Sequence, residues 1–236
     1  MVTSVHLADV GLMTGGSLVA RGFGRRRPRG LLWDAFAVTA PLGPGLVPRP
    51  DPTSVGLVAV WRDTEALSAF EAGGHPVTTG WATRLEAVRV VGAWPGLPGL
   101  PEHEEPVGDG PVAVLTLGRL KPTRALAFLR ASAAAERDAL ADPALVLSTG
   151  LARPPRTVAT FSRWRDGAAM RAYVEGHHRP GHRDALTVDA ARGFHASSAF
   201  IRYRVLGERG HWAGRDTTAS SSDALPTAAT IDGRAA

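Results

Sequence analysis

Two segments of this chain share one pattern, and that internal repeat constrains the fold more than any other feature. Each reads as an alternating apolar strand, then Trp-Arg-Asp, then a short amphipathic helix: VGLVAVWRDTEALSAFEAGGH at 55–75 and RTVATFSRWRDGAAMRAYVEGHH at 156–178. The pairs matched at a constant offset are Trp61 and Trp164, Asp63 and Asp166, Phe70 and Tyr173, and His75 and His178. Such self-similarity predicts two copies of one supersecondary unit.

The patterning around each segment predicts the same order of elements in both copies. In the second copy, β-branched alternation predicts strands at 111–120, 144–152, 156–164 and 199–207, with helices at 121–140 and 167–176. The first copy fits strands at 2–8, 31–39, 54–61 and 84–92, with helices at 10–20 and 64–72. This βαββαβ order is typical of a ferredoxin-like unit.

Two such units in one chain bury their bare sheet faces most simply against each other. The sequence therefore predicts an α+β fold, a pseudo-dimeric α+β barrel made of two ferredoxin-like repeats, with a cavity between sheet and helices. The first repeat spans 1–93 and the second 111–212. The Pro-, Gly- and acid-rich stretch 94–110 is predicted to be a linker, and the tail 213–236, which lacks apolar periodicity, is predicted to be disordered.

Composition excludes several classes of function. The 236 residues include no cysteine, which rules out disulfides and thiolate ligands, and leaves histidine as the soft ligand. No apolar run approaches the length of a membrane span, so we expect a soluble, cytoplasmic protein. The net charge of +5 comes almost entirely from arginine, and its one cluster, at 21–30, is interpreted as a solvated loop and not a nucleic-acid site.

Histidines cluster where the repeat is interrupted. Aligning the closing strands requires about twelve more residues in copy two, and they fall near GHHRPGHRDAL at 176–186. From His182 onward the apolar spacing fits a short helix, which would place this imidazole at the edge of the barrel cavity, as a metal or haem-iron ligand. His178 and His182 are four apart, but Pro180 between them disfavours one helix that carries a zinc pair.

Four stretches of the second copy together resemble the spheroidene monooxygenase family of carotenoid oxygenases. They are PVAVLTLGRLKPTRALAFLR at 111–130, GLARPPRTVATFSRW at 150–164, GHRDAL at 181–186 and FIRYRVLGERGHW at 200–212. The first copy resembles the family only loosely. The resemblance implies a haem-dependent oxygenase of an apolar small molecule, with His182 as the iron ligand. The stretch GFHASSAF departs from the family pattern and puts His195, Ser197 and Ser198 near the site.

If haem is bound, further residues acquire predicted roles. Asp184 or a backbone carbonyl could accept the other N–H of His182 and raise its basicity. The distal face would come from sheet residues, where Arg119, Ser162 and Arg163 are candidates. Strand alternation puts Ser162 and Arg163 on opposite faces, and we favour Ser162, together with His195, as catalytic, and Arg119 as cofactor-binding.

Three alternatives stay open at this point. A cofactor-free oxygenase of the antibiotic-biosynthesis type, another haem reaction such as dehydration, and a non-catalytic ligand-binding barrel all suit the predicted fold, because fold does not select the reaction. The electron donor is not indicated by any residue pattern. A homo-oligomer is also compatible with the sequence.

Overall fold

Strands dominate the part of the chain that the computed structural model describes, which comprises residues 1–40, 50–101, 110–124, 127–128, 137–175, 193–212 and 215–216. In the first half, the elements are β1 (Val2–Asp9), α1 (Leu12–Arg21), β2 (Leu31–Ala40), β3 (Asp51–Trp61), α2 (Thr64–Ala72), a 3₁₀ turn (Pro76–Thr78) and β4 (Trp81–Ala93). In the second half, they are β5 (Val112–Leu120), a 3₁₀ turn (Pro122–Arg124), β6 (Leu145–Arg153), β7 (Thr157–Trp164), α3 (Gly167–Val174), β8 (His195–Arg209), β9 (His211–Trp212) and β10 (Arg215–Asp216).

Eight strands close into one barrel in the order β1-β3-β2-β6-β7-β5-β8-β4. Each half contributes four neighbours in the ferredoxin-like order, β4-β1-β3-β2 and β8-β5-β7-β6. The halves are hydrogen-bonded to each other along two seams, β2 with β6 and β4 with β8, all antiparallel. The predicted pseudo-dimeric α+β barrel is confirmed, and the seams join the two facing sheets into a closed wall.

The predicted correspondence of the two tryptophans is confirmed in detail. Trp61 and Trp164 each donate from Nε1 to a serine Oγ, at 2.9 Å to Ser4 and 3.0 Å to Ser162. Each ring lies beside an aromatic ring of the following helix, Phe70 or Tyr173, at centroid distances of 4.9 and 4.8 Å. The repeated tryptophan therefore fixes the junction of strand and helix in both halves.

The repeated aspartate explains why a helix begins at the same place in each copy. Asp63 accepts a hydrogen bond from the backbone N–H of Ala66 at 2.8 Å, and Asp166 accepts one from Ala169 at 2.7 Å. A side-chain acceptor at this position satisfies a backbone donor that the first helical turn leaves unpaired. The Trp-Arg-Asp motif thus encodes the end of a strand and the start of a helix.

Alternate residues of each strand face two different environments. One set fills the barrel interior with a continuous apolar core that includes Trp33, Trp81, Phe161, Ile201 and Tyr203. The other set faces outward towards the helices and forms a separate cluster in each half. Because the interior is packed with large side chains, a binding site has to lie on the outer, helix-facing side or at the barrel ends.

Residues outside the eight barrel strands also pack against the interior core. Trp94, Leu97 and Leu100, in the stretch predicted as linker, pack against the interior core. Trp212 is buried and donates from Nε1 to Ser54 Oγ at 3.0 Å. β10 pairs with β9, so regular structure extends to Asp216, into the segment predicted to be disordered.

The observed boundaries follow the predicted ones closely, with three extensions. β3 begins at Asp51, β4 at Trp81 and β8 at His195, each several residues before its predicted start. Residues 127–128 and 137–140 are helical within the predicted helix 121–140. Among the described residues, no helix is long and apolar enough to cross a membrane.

Candidate functional site on the helix-facing side of the second half

The helix-facing side of the first half is completely filled. His6, Leu57 and Phe36 lie side by side on β1, β3 and β2, and none of them is more than 1% exposed. Phe23, Phe70 and His75 pack against this row with ring centroids 5.0 to 6.2 Å apart. The first half therefore has no room for a ligand on this side.

The same positions in the second half carry smaller side chains. Val2 pairs with Trp61 in the first half, and Val112 pairs with Trp164 in the second. These two pairs define which positions of the two halves are equivalent. In that register His6, Leu57 and Phe36 correspond to Thr116, Thr160 and Gly150, whereas Ala82 becomes the larger Phe200.

This loss of bulk leaves the centre of the sheet accessible. Thr116 is exposed although it lies in the middle of a central strand, and its neighbours Thr160 and Phe200 are half-buried. A central strand residue is normally covered by the packed layer above it. We call this surface the open face, defined by Thr116 and Thr160 at its centre and by Ser162, His195, Phe200 and Arg202 around them.

His195, predicted to be catalytic, lies at one end of the open face. The register of β8 against β5 shifts between Arg119 and Leu120, and this bulge turns His195 to the outer side. Its ring lies directly on Gly118, where a β-carbon would come within 2.7 Å of both Cδ2 and Nε2. The ring also meets Phe128 edge-on, with centroids 5.1 Å apart. A glycine backbone below and a phenyl ring beside it hold this imidazole in place.

Ser162, the other residue predicted to be catalytic, lies at the opposite end. Its hydroxyl accepts the hydrogen bond from Trp164, so it has a structural role that matches Ser4 in the first half. The hydroxyl proton can still be donated towards the open face. Ser162 is level with Val114, four residues from Gly118 along β5, which separates Ser162 from His195 by roughly 13 Å. The two side chains therefore cannot contact one reacting atom.

Arg119, predicted to bind a cofactor, lies on the other side of its strand. It follows Gly118, so alternation directs it away from the open face, and its guanidinium lies 5.7 Å from the centroid of the Trp94 ring at one barrel end. The structure does not bring Arg119 together with Ser162 and His195. Arg163 likewise faces the interior, where it is buried and paired with Glu208 at 3.0 Å.

The predicted iron ligand His182 lies outside the described residues, and so do Asp184, His177 and His178. In the remainder of the chain, which the structure does describe, no three histidine or acidic side chains lie close enough together to hold a metal ion. His182 and Asp184 therefore stay predictions from the sequence.

Arg202 and Thr116 are residues of the open face that the sequence reasoning missed. The signal was present in the repeat. Matching the strands position by position, and not only the Trp-Arg-Asp segments, would have shown large residues of copy one replaced by small ones in copy two. What the sequence lacked was the register of β5 and β6, which only the hydrogen-bonded pairs supply.

A second concavity lies next to α3 and involves none of the predicted residues. This cleft, of about 400 Å³, is lined by Asp138, Ala141, Asp142, Pro143, Ala144, Arg165, Ala169, Ala172 and Tyr173. Its polar groups serve structural purposes, because Asp142 caps the backbone of Ala144 at 2.9 Å and Tyr173 packs on Trp164. The open face, with the exposed Thr116 at its centre, is the stronger candidate.

Known proteins similar to this chain agree with one another. Spheroidene monooxygenase of Rhodobacter capsulatus is 31% identical over 189 residues, which cover 75% of this chain and 77% of that protein. The spheroidene monooxygenase of Cereibacter sphaeroides is 26% identical over 86% of the chain and 64% of its own length. That of Rubrivivax gelatinosus is 34% identical over 71% of the chain and 66% of its own length. No family profile matches the chain.

The solved structures that match this chain are more distant in sequence. An anthrone oxidase-like protein is 17% identical, with a TM-score of 0.34 over 95% of this chain and 96% of its own. SnoaB from Streptomyces nogalater, a cofactor-independent oxygenase, is 19% identical, with a TM-score of 0.34 over 41% of this chain and 94% of its own.

The three curated relatives all carry one name, and the first of them matches over more than three quarters of its length. Their agreement supports an oxygenase-type enzyme acting on a small molecule. The resemblance stated from four stretches of the second copy is thereby confirmed across most of the chain. By sequence, this chain belongs to the spheroidene monooxygenase family.

Proposed function

We propose that this chain is a haem-dependent oxygenase that binds an apolar small-molecule substrate on the open face. The observation that carries the proposal is the difference between the halves: one helix-facing side is filled by aromatic rings, and the equivalent side leaves Thr116 exposed. Binding sites for apolar ligands are concave surfaces with mostly apolar linings and a few placed polar groups.

The residues present fit a flat, largely apolar group. Val114, Val158 and Phe200 supply apolar surface around the two threonines, which offer hydroxyls but no charge. Haem iron, when bound, would supply the centre that activates dioxygen, and His182 is the residue that we expect to hold it. Because the chain has no cysteine, no thiolate is available, and imidazole is the common haem ligand that we expect it to provide.

The described side chains have distinct tasks in this proposal. His195 holds or releases a proton at a ring nitrogen at one end of the face. Ser162 donates a hydroxyl hydrogen bond at the other end. Because roughly 13 Å separates the two ends, they contact different parts of a bound molecule. An apolar molecule bound over Thr116 would cover this exposed surface and so strengthen the polar contacts beneath it.

The proposal is tested on protein expressed with an adequate haem supply. We expect purified wild-type protein to show a Soret band and about one iron per chain. His182→Ala should either lack the band or show it only after imidazole is added. His178→Ala and His195→Ala should retain the band and serve as histidine controls. A colourless protein that consumes oxygen with an apolar substrate would contradict the haem proposal and favour a cofactor-free oxygenase.

A further inference from the structure

Arg202 lies on the open face, and among the described residues no carboxylate pairs with it. It is half-buried on β8, and its Nε is buried with no hydrogen-bond acceptor among the described residues. Arg89 lies directly opposite on β4, so its cross-strand neighbour carries the same charge. Like charges in directly opposed positions destabilise a sheet. Burial, and then the charges of Arg89 and Arg171, lower the pKa of Arg202.

The equivalent arginine of the first half is hydrogen-bonded to the helix above it. Arg202 is level with Val114 on β5, as Arg84 is level with Ser4 on β1, so the two arginines are equivalent positions of the repeat. Arg84 donates to a carboxylate oxygen of Glu71 and, at 3.1 Å, to Ser68 Oγ, both on α2. A buried arginine in this position is thus satisfied by the overlying helix.

In the second half, α3 offers no such acceptors. The offset that matches Phe70 with Tyr173 places Val174 where Glu71 stands and Arg171 where Ser68 stands. The second half thus has an apolar side chain in place of the carboxylate of the first half, and a second cation in place of the hydroxyl. Arg204, two residues further along the same face, is paired with Glu86 at 3.0 Å. The two arginines of this face therefore differ, because Arg204 has a carboxylate partner among the described residues and Arg202 has none.

We propose that Arg202, supported by Arg171 and Arg89, is a carboxylate-binding site of the open face, and that its missing partner is supplied by the bound molecule. Thr116 is paired with Phe200, so Arg202 lies diagonally from it at about 7–8 Å between α-carbons. An apolar molecule on the threonines can reach the guanidinium with an attached carboxylate, and the planar fork binds such a group through two hydrogen bonds. The inference deepens the proposed function, because haem carries carboxylates, but a substrate carboxylate would meet the same site.

The test compares ligands that differ only in the carboxylate. Haem should bind wild-type protein about tenfold or more tightly than haem dimethyl ester. Arg202→Gln should abolish this preference. Arg204→Gln, which removes an equal charge from the same strand, should leave it intact. Val174→Glu restores the acid of the first half and should also abolish the preference, while raising Tm by roughly 2–4 °C.

A second pair of probes separates the cofactor from the substrate as the source of the carboxylate. Decanoate and 1-decanol are titrated calorimetrically into haem-free and haem-loaded protein. A decanoate preference that survives haem loading and requires Arg202 assigns the site to substrate. A decanoate preference that disappears on haem loading assigns the site to the cofactor.

The outcomes distinguish the two proposals. If wild-type protein binds neither haem nor its ester, the haem proposal fails, and the carboxylate site is judged by decanoate alone. If haem binds but neither carboxylate probe depends on Arg202 more than on Arg204, the carboxylate site is wrong and the haem proposal stands. A Val174→Glu variant that keeps the full preference would also overturn the site.

Discussion

His6 and Thr116 occupy equivalent positions and show how one residue determines what a face can do. In the first half, Trp61 donates to Ser4, and the Ser4 hydroxyl lies 3.1 Å from Nε2 of His6. Burial above all, then the charges of Arg209, His75 and Arg84, lowers the pKa of His6 to about 3. The imidazole is held neutral in the core and is shielded from solvent. Thr116, small and uncharged, leaves its position open.

The neutral His6 predicts a specific pH dependence of stability. Its folded pKa is depressed below the ordinary 6.5, so the unfolded chain binds the additional proton between pH 6.5 and about 3. Above pH 6.5 the contribution of the neutral His6 to the free energy of unfolding is fully present. Within the window, the free energy of unfolding decreases by roughly 1.4 kcal/mol for each unit by which the pH is lowered. We expect urea unfolding of wild type to show this slope and His6→Gln, which keeps a polar partner for Ser4, to lack it. Equal slopes would refute a neutral His6.

At the scale of elements, strand β5 combines both functions of the second half. Leu115 and Leu117 on its inner side belong to the barrel core. On its outer side, Thr116 lies at the centre of the open face, and Gly118 is the residue on which the His195 ring packs. Period-two alternation allows one strand to stabilise the fold and line the site, because each substitution affects one side. The helix-facing side can therefore vary at little cost to the barrel.

This separation predicts that the open face can be filled without unfolding the protein. Thr116→Phe adds an aromatic ring where the first half has one of its packed rings, and because Thr116 is exposed, we expect Tm to stay within a few degrees of wild type. Haem uptake, measured by the Soret band, should be lost. Thr116→Ser, which removes only a methyl group, should retain it. Normal uptake by Thr116→Phe would place the binding site elsewhere.

At the scale of the whole molecule, the pseudo-symmetric barrel is asymmetric in its seams and its faces. In the described residues, β4 and β8 share eleven residue pairs, whereas β2 and β6 share three. The long seam borders the open face through Arg202 on β8, and the short seam lies at its other edge, where Gly150 on β6 pairs with Thr160. One half is filled on its helix-facing side, and the other carries the open face, the candidate site.

The unequal seams predict unequal dynamics. Amides at 38–40 and 150–152 should exchange with deuterium sooner than those at 84–91 and 199–205, because short pairings open locally at lower free energy. Exchange followed by mass spectrometry with peptide resolution measures this directly. Equal protection along both seams would show that the barrel opens only as one unit.

Local sequence was sufficient to predict the repeat, the element order and the caps, because the signals that specify them act over a few residues. Trp61 and Trp164 with their following aspartates mark each junction, and alternation marks each strand. The family, too, could be recognised from four short stretches. These features depend on the chain's own periodicity and hardly at all on what lies across the barrel.

The site depended on contacts between distant segments. A bulge turns His195 onto Gly118, alternation sends Arg119 into the barrel end, and α3 presents Val174 where Arg84 in the other half has Glu71. Each outcome is set by register and by the neighbour on another strand or helix, which periodicity along one segment does not encode. The sequence by itself determined which elements form, and the tertiary structure decided which side chains meet on the open face.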